Sequence, residues 1–430
     1  MNSKVQTIRH EIGDGINFCS ARTDRFKHSA LTVSYTSKLT AENAALNSLL
    51  AAVLTRGCKS FPTMKELNRE LDRLYSASID YSVSKYGEVH TVNFNVSALE
   101  NRFVTEDEDI TLAVVRLTLE MLLDPVLCDG VFPTEVVETE KKNLIDSINA
   151  SKNNKDAYAL RRCAEIMCEG ERYSTFKYGT VEAVEQISPE SLTEWYHQVI
   201  SSAKFDIYFV GDYDQELLAE ELRDIFSSVK RCVSVEQPTT KVRKKAGELK
   251  SVTETEPVNQ AKLVLGFRLG RSLADRNFAA MTLYRELLGG SPTSKLFLNV
   301  REKLSLCYYC SASLEPIKGL MFVAAGIDGS NAEKAKTAIL EQTAAIANGE
   351  ISDEELKLAK DSLINKYKEI EDSPSAIIDW YLRRGIIGIV DSPDLASLAI
   401  SFLTKEQVVK AANEIYLDTV YLLDGEKKED

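Results

Sequence analysis

Leu287-Leu288-Gly289-Gly290-Ser291-Pro292-Thr293-Ser294-Lys295-Leu296-Phe297-Leu298-Asn299-Val300-Arg301-Glu302-Lys303-Leu304-Ser305-Leu306-Cys307-Tyr308 is the stretch whose reading decides the fold. It opens on a glycine turn, continues as a helix from Ser294 to Lys303, and runs into a β-prone strand from Leu306 to Ser313. The same succession stands earlier in the chain, where a helix from Met64 to Leu74 leads into the strand-like Tyr75 to Val83. Two more pairs follow in the same order. A charged helix opened by Phe132-Pro133-Thr134-Glu135 is matched by one opened by Ile351-Ser352-Asp353-Glu354, the caps lying 219 residues apart. The capped helix at Ser188, with its buried strand Phe205 to Val210, is matched 216 residues on by Thr404 and the strand Asp418 to Leu423. Three pairs in one order at similar offsets predict a duplication.

The predicted fold class is therefore α+β: two homologous units, each an antiparallel sheet with helices packed on one face. The expected division is an N-terminal unit over 1–230, a linker over 231–256 and a C-terminal unit over 257–430. The linker carries Pro238 and the basic run Lys241-Val242-Arg243-Lys244-Lys245 with few apolar residues and no period. That basic run reads either as a patch for an anionic ligand or, more simply, as solvated linker.

Composition narrows the function. The chain has 430 residues, 65 acids against 52 bases, and a formal charge of −13. Such a surface repels phosphate, so neither nucleic acid nor an anionic membrane is an expected partner. No apolar run approaches the length of a membrane helix. Met1 to Thr7 has no apolar signal core, so the expected location is cytoplasmic. Eight cysteines then read as reduced and mostly buried, and the single CxxC, Cys307 to Cys310, reads as strand packing. His10, His28, His90 and His197 stand too far apart for two of them to share a metal from one helix.

The motif over Leu287 to Tyr308 resembles the second-unit motif of the insulinase/pitrilysin metallopeptidase superfamily, and the resemblance extends over nearly the whole chain. It implies that Arg301 and Tyr308 bind the substrate backbone and the developing oxyanion. A planar guanidinium fork and a directed phenol donor suit that task. The resemblance also implies a zinc motif, His-x-x-Glu-His, on a first-unit helix and a distal glutamate ligand. Here the corresponding positions are Ser48, Ala51 and Ala52, and the distal ligand position falls on Ser147. None of the first three can bind zinc or abstract a proton, and the carboxylates Glu138, Glu140 and Asp146 beside Ser147 read as solvated. Arg383-Arg384-Gly385 reads as a helix end with a basic last turn.

The expectation is a zinc-free, noncatalytic subunit, an inactive homologue of a zinc metalloendopeptidase that is not an enzyme on its own. It needs no cofactor itself, zinc being expected only on a homologous partner subunit. That partner would complete a heterodimer, to which this chain supplies Arg301 and Tyr308 for a peptide substrate. The alternatives are a pure scaffold or pseudoenzyme that dimerises, with a partner or with itself, and binds peptide without assisting cleavage, and a self-sufficient peptidase using unorthodox ligands such as Cys58 or His90.

Overall fold

The computed structural model describes residues 7–105, 107–232, 238–245 and 247–425. The stretch 1–6, read above for a signal core, and residues 233–237 and 246 of the expected linker lie outside the described residues. Among the described residues no helix is long and apolar enough to cross a membrane.

The first unit begins with β1 (Thr7–Gly13), β2 (Ile16–Arg22) and β3 (His28–Lys38), followed by α1 (Ala41–Leu54) and α2 (Met64–Arg73). Next come the hairpin strands β4 (Ser78–Tyr86) and β5 (Val89–Leu99), then α3 (Ile110–Leu123), α4 (Thr134–Ala150) and α5 (Lys155–Met167). It closes with α6 (Val181–Glu185), α7 (Pro189–Ser202), β6 (Lys204–Gly211) and α8 (Gln215–Ser227). The second unit repeats this succession. It runs β7 (Lys250–Thr255), β8 (Ala261–Arg268), α9 (Phe278–Gly289), a π-helix (Leu296–Lys303), β9 (Cys307–Glu315) and β10 (Leu320–Ile327). After these come α10 (Ala332–Ala347), α11 (Asp353–Glu369), α12 (Pro374–Gly385), α13 (Pro393–Ser401), α14 (Lys405–Ala412) and β11 (Tyr416–Asp424).

The sheets have matching orders, β1-β2-β6-β3-β5-β4 and β7-β11-β8-β10-β9. Each is antiparallel except for one parallel pair, β2 with β6 and β7 with β11. Position by position, β7 is the counterpart of β2, so residues 250–255 of the expected linker belong to the second sheet. Its Lys-Ser-Val-Thr-Glu-Thr run alternates half-buried and exposed residues, as an edge strand with one covered face does. The polar composition that suggested a linker is the solvent side of that strand.

Each sheet packs its own helices on one face. Val92, Phe94 and Val96 of β5 meet the α1 residues Leu49, Leu50 and Val53 in the first core. Leu263, Leu265 and Phe267 of β8 meet Met281, Tyr284 and Leu288 of α9 in the second. The opposite faces are covered by exchange. From the first half of the chain, α5 lays Tyr158, Cys163 and Met167 on Val264, Phe322 and Tyr421 of the second sheet. From the second half, α12 lays Ile377, Ile378 and Leu382 on Tyr208 and Val210 of the first. Each unit thus completes the burial of the other.

A buried ion network joins them. The Glu171 carboxylate, just after α5, accepts from Arg268 of β8 at 2.8 Å and pairs with Lys318 of the β9–β10 turn at 2.7 Å. Lys318 also donates to Glu88 of the β4–β5 turn at 2.6 Å, and Arg268 to Asp418 of β11 at 2.7 Å. Burial raises the Glu171 pKa, but the hydrogen bonds from Lys318 and Arg268 outweigh it, so the group lies below the usual carboxylate range. Removing one partner of such a network leaves a buried charge uncompensated, so Lys318→Ala is expected to lower stability by about 3–5 kcal/mol. Urea denaturation measures it. A midpoint no lower than that of the surface control Lys336→Ala contradicts the network's role.

Candidate functional site

Two places follow from the sequence motifs, one on α1 and one at the start of β9. On α1, Thr40 caps the helix by accepting from the Asn43 N–H at 3.1 Å, and every residue from Ala44 to Leu54 is buried. This is a central helix, buried on all sides, with Asn47 and Ser48 as its buried polar residues. Ser48 donates its hydroxyl to the Ala44 carbonyl at 2.7 Å, a bond within its own helix turn. Ala51 and Ala52 are buried and offer no donor atom. On α4, the Ser147 hydroxyl is likewise turned back, to the Asn143 carbonyl at 2.8 Å. These four residues do not fit a zinc ion. Among the described residues no group of three or more His, Cys, Asp or Glu is placed to hold a metal.

What joins α1 to α4 is an ion pair. Arg56, one turn beyond Ala52, meets Glu140 at 2.5 Å, and the Glu140 side chain is buried. This corrects the reading of Glu140 as a solvated carboxylate. The signal was the apolar positions Val137 and Leu144 flanking Glu140 at helical spacing, both buried on the same face of α4. Glu138 and Asp146 are exposed, as expected. Arg383 and Arg384 close the last turn of α12, held by Asp379 and Asp391 at 2.8 and 2.6 Å, so the helix-end reading describes them.

At β9 the geometry is different. The π-helix ends beside Arg301, and the chain reverses through Ser305, whose φ of 51° lies in the left-handed region. Leu306 N–H then reaches back to the Val300 carbonyl at 3.1 Å. Gly289 allows the approach: a Cβ there would lie 2.7 Å from the Ala312 backbone nitrogen. In the ladder, Cys307 opposes Ile327 while Tyr309 opposes the adjacent Gly326, so Tyr308 is the extra residue of a β-bulge. The bulge shifts the side-chain alternation by one. Cys307 and Cys310, which a regular strand would place on opposite faces, are both buried, and Tyr308 is 66% exposed.

Arg301 and Tyr308 line one open groove of about 450 Å³ together with Glu302, Asp328 and Asn331. The guanidinium rests 4.5 Å from the Phe297 ring centroid, a cation–π contact that steadies it. Glu302 lies 3.6 Å from it. The Cys307 thiol is drawn down by its hydrogen bond with Cys310, against burial, with the Arg301 charge assisting. That same bond, with burial, pushes Cys310 up. Ser48, Ala51, Ala52 and Ser147 do not line this groove. The structure therefore brings Arg301 and Tyr308 together, buries Ser48, Ala51 and Ala52 in the first unit, and leaves Ser147 exposed on α4.

The unorthodox residues are accounted for by packing. Burial pushes the Cys58 thiol up to about 11, which keeps it protonated. The His90 ring is buried between Asn47 at 3.0 Å and the Lys177 carbonyl at 2.8 Å.

The family model described as the peptidase M16 inactive domain matches residues 186–363. The probable inactive metalloprotease YmfF of Bacillus subtilis (strain 168) is 31% identical, over 98% of this chain and 99% of its own length. A conserved protein from Enterococcus faecalis V583 superposes with a TM-score of 0.87 at 25% identity, covering 99% of this chain and 100% of that one. A peptidase M16 inactive domain from Pseudomonas fluorescens gives 0.77 at 17% identity, covering 98% of each chain, a likeness of fold.

The His90 environment yields a pH prediction. Burial pushes this imidazole down from 6.5 to about 4, so the folded chain keeps it neutral after the unfolded chain has taken up its proton. Stability is then lost as pH falls from 6.5 towards 4, at up to about 1.4 kcal/mol per pH unit. His90→Gln is expected to flatten that stretch of the stability–pH curve measured by denaturant titration. An unchanged slope contradicts the assignment.

Proposed function

The chain belongs to the peptidase M16 family as an inactive metalloprotease homologue, and from that premise we propose that it is the noncatalytic subunit of a heterodimeric peptidase. In this reading a homologous zinc-bearing subunit performs the cleavage. This chain closes over the peptide substrate and presents Arg301 and Tyr308. The guanidinium binds the substrate backbone, and the phenol donates to the oxygen on which negative charge develops. Such donors act most strongly where water is excluded, which is what closure of two subunits over a peptide provides.

The observation that carries the proposal is the contrast between the two motif positions. Ser48, Ala51 and Ala52 are packed inside α1 with no free donor or acceptor for chemistry. Arg301 and Tyr308 share an open groove, and the bulge turns Tyr308 outward. β9 is also an edge of its sheet, the kind of strand to which an extended peptide can add by backbone pairing.

The test is kinetic. With the zinc-bearing homologue reconstituted from the same organism, Arg301→Ala and Tyr308→Phe are each expected to lower kcat/KM by about 10²-fold, the scale of losing one transition-state donor. Pair formation, followed by size-exclusion chromatography, should stay unchanged because neither side chain is part of the core. An intact kcat/KM with an intact pair leaves a scaffold that presents peptide without assisting its cleavage, and overturns the proposal.

A further inference from the structure

A second pocket lies on the first unit, away from Arg301 and Tyr308. It has a volume of about 530 Å³ and is walled by the end of β3, the start of α1, Arg172, one side of α7 and the residues Pro238, Thr239 and Lys241. The charged side chains that line it are Lys38, Arg172 and Lys241, with no carboxylate among them. In a chain of net charge −13 this is a local inversion. None of the three forms an ion pair among the described residues. Lys204, next in the chain to the lining residue Ala203, does: it pairs with Asp206 at 2.9 Å. Three like charges that line one cavity with no ion-pair partner among the described residues repel one another, and an anion relieves that repulsion.

The rest of the wall says which anion. Trp195 is half-buried there, and its indole N–H is spent on the Asn47 carbonyl oxygen at 2.9 Å. That bond fixes the ring's orientation and leaves its carbon framework to the pocket. Asn43 and Gln198 add amides that both donate and accept. Two lysines and one arginine supply point charges and a planar fork suited to phosphate oxygens. A flat ring against the indole is the natural complement at the other end. The chain's net charge of −13 disfavours a long polyanion such as nucleic acid.

We propose that this pocket binds a nucleoside polyphosphate, its phosphates on Lys38, Arg172 and Lys241 and its base against Trp195. The basic run that begins at Lys241 is thus, at its first residue, part of an anion site rather than solvated linker alone. The inference is independent of the role of Arg301 and Tyr308.

Isothermal titration calorimetry of the full chain with ATP, at low salt, tests it. Saturable binding is expected, weakened at least about tenfold in Lys38→Ala/Arg172→Ala/Lys241→Ala, since three charge-assisted contacts are lost. The substituted side chains are exposed, and circular dichroism checks that the variant is folded. If it is not, Lys241→Gln alone is expected to weaken binding about threefold for the loss of one contact. Tripolyphosphate, which has the charge and no ring, is expected to bind at least about tenfold more weakly than ATP, the stacked base being absent. The proposal is overturned by no saturable binding of millimolar ATP, by a folded variant that binds as the parent does, or by a poly-glutamate peptide that binds as tightly. Equal affinity for tripolyphosphate overturns the assignment of a base to Trp195.

Discussion

Glu171 sits where the two halves of the chain have to agree. Its carboxylate is shared between Arg268 and Lys318, both almost fully buried, and Lys318 reaches on to Glu88 in the β4–β5 turn of the first unit. A buried charge is tolerated only when its partners are held in place, and these partners come from both sheets and from the turn after α5. The network therefore requires α5 to lie across the second sheet rather than its own. Once α5 is there, the outer face of the first sheet needs a cover from elsewhere, and α12 supplies it with Ile377, Ile378 and Leu382. The two units are homologous in order, but neither buries both faces of its sheet alone. Their relative placement, and with it the position of the Arg301 groove, depends on that exchange.

Much of this was legible in the sequence because the responsible interactions are local. The helices at Ser188, Ser352 and Thr404 begin at caps that bond to residues three positions on, and such caps are read directly from residue type and spacing. Repetition of those caps at nearly constant offsets carried the duplication. The exchange of α5 and α12 left no such signal. A helix with one apolar face announces that it will be buried, not against which sheet, and the choice is made by contacts between residues far apart in the chain, such as Tyr158 with Tyr421. β7 was obscured for a related reason. Its alternation is short and its exposed side is charged, so composition alone resembles the linker that precedes it.

The candidate site divides along the same line. Arg301 and Tyr308 were located by the resemblance of the Leu287 to Tyr308 segment to a family motif, and such a motif is a local property of the sequence. The bulge was not, because a bulge exists only relative to the partner strand, here Gly326 and Ile327 of β10. A regular strand through the same residues would have placed Cys307 and Tyr309 together on one face and Tyr308 and Cys310 on the other. Reading CxxC as strand packing is consistent with both thiols lying inside, yet without the bulge only one of them could. Glu140 shows the opposite failure. Its charge suggested solvent, while its helical register with Val137 and Leu144 placed it in the interface with α1, where Arg56 neutralises it.

The two motif positions have come to rest under different physical demands. On α1, alanine at the positions that would carry a ligand and a base lets the helix pack as core, and a hydroxyl satisfied within its own turn adds no unpaired group. Stability favours that state of α1, and nothing there requires a function to explain it. The start of β9 is the reverse. Left-handed backbone at Ser305 costs on the order of 1 kcal/mol, the bulge forgoes a ladder position, and Tyr308 exposes an aromatic ring that an unbulged strand could have packed. Packing alone would remove each of these. Their joint presence beside a guanidinium, around a single groove, is not accounted for by packing within the chain.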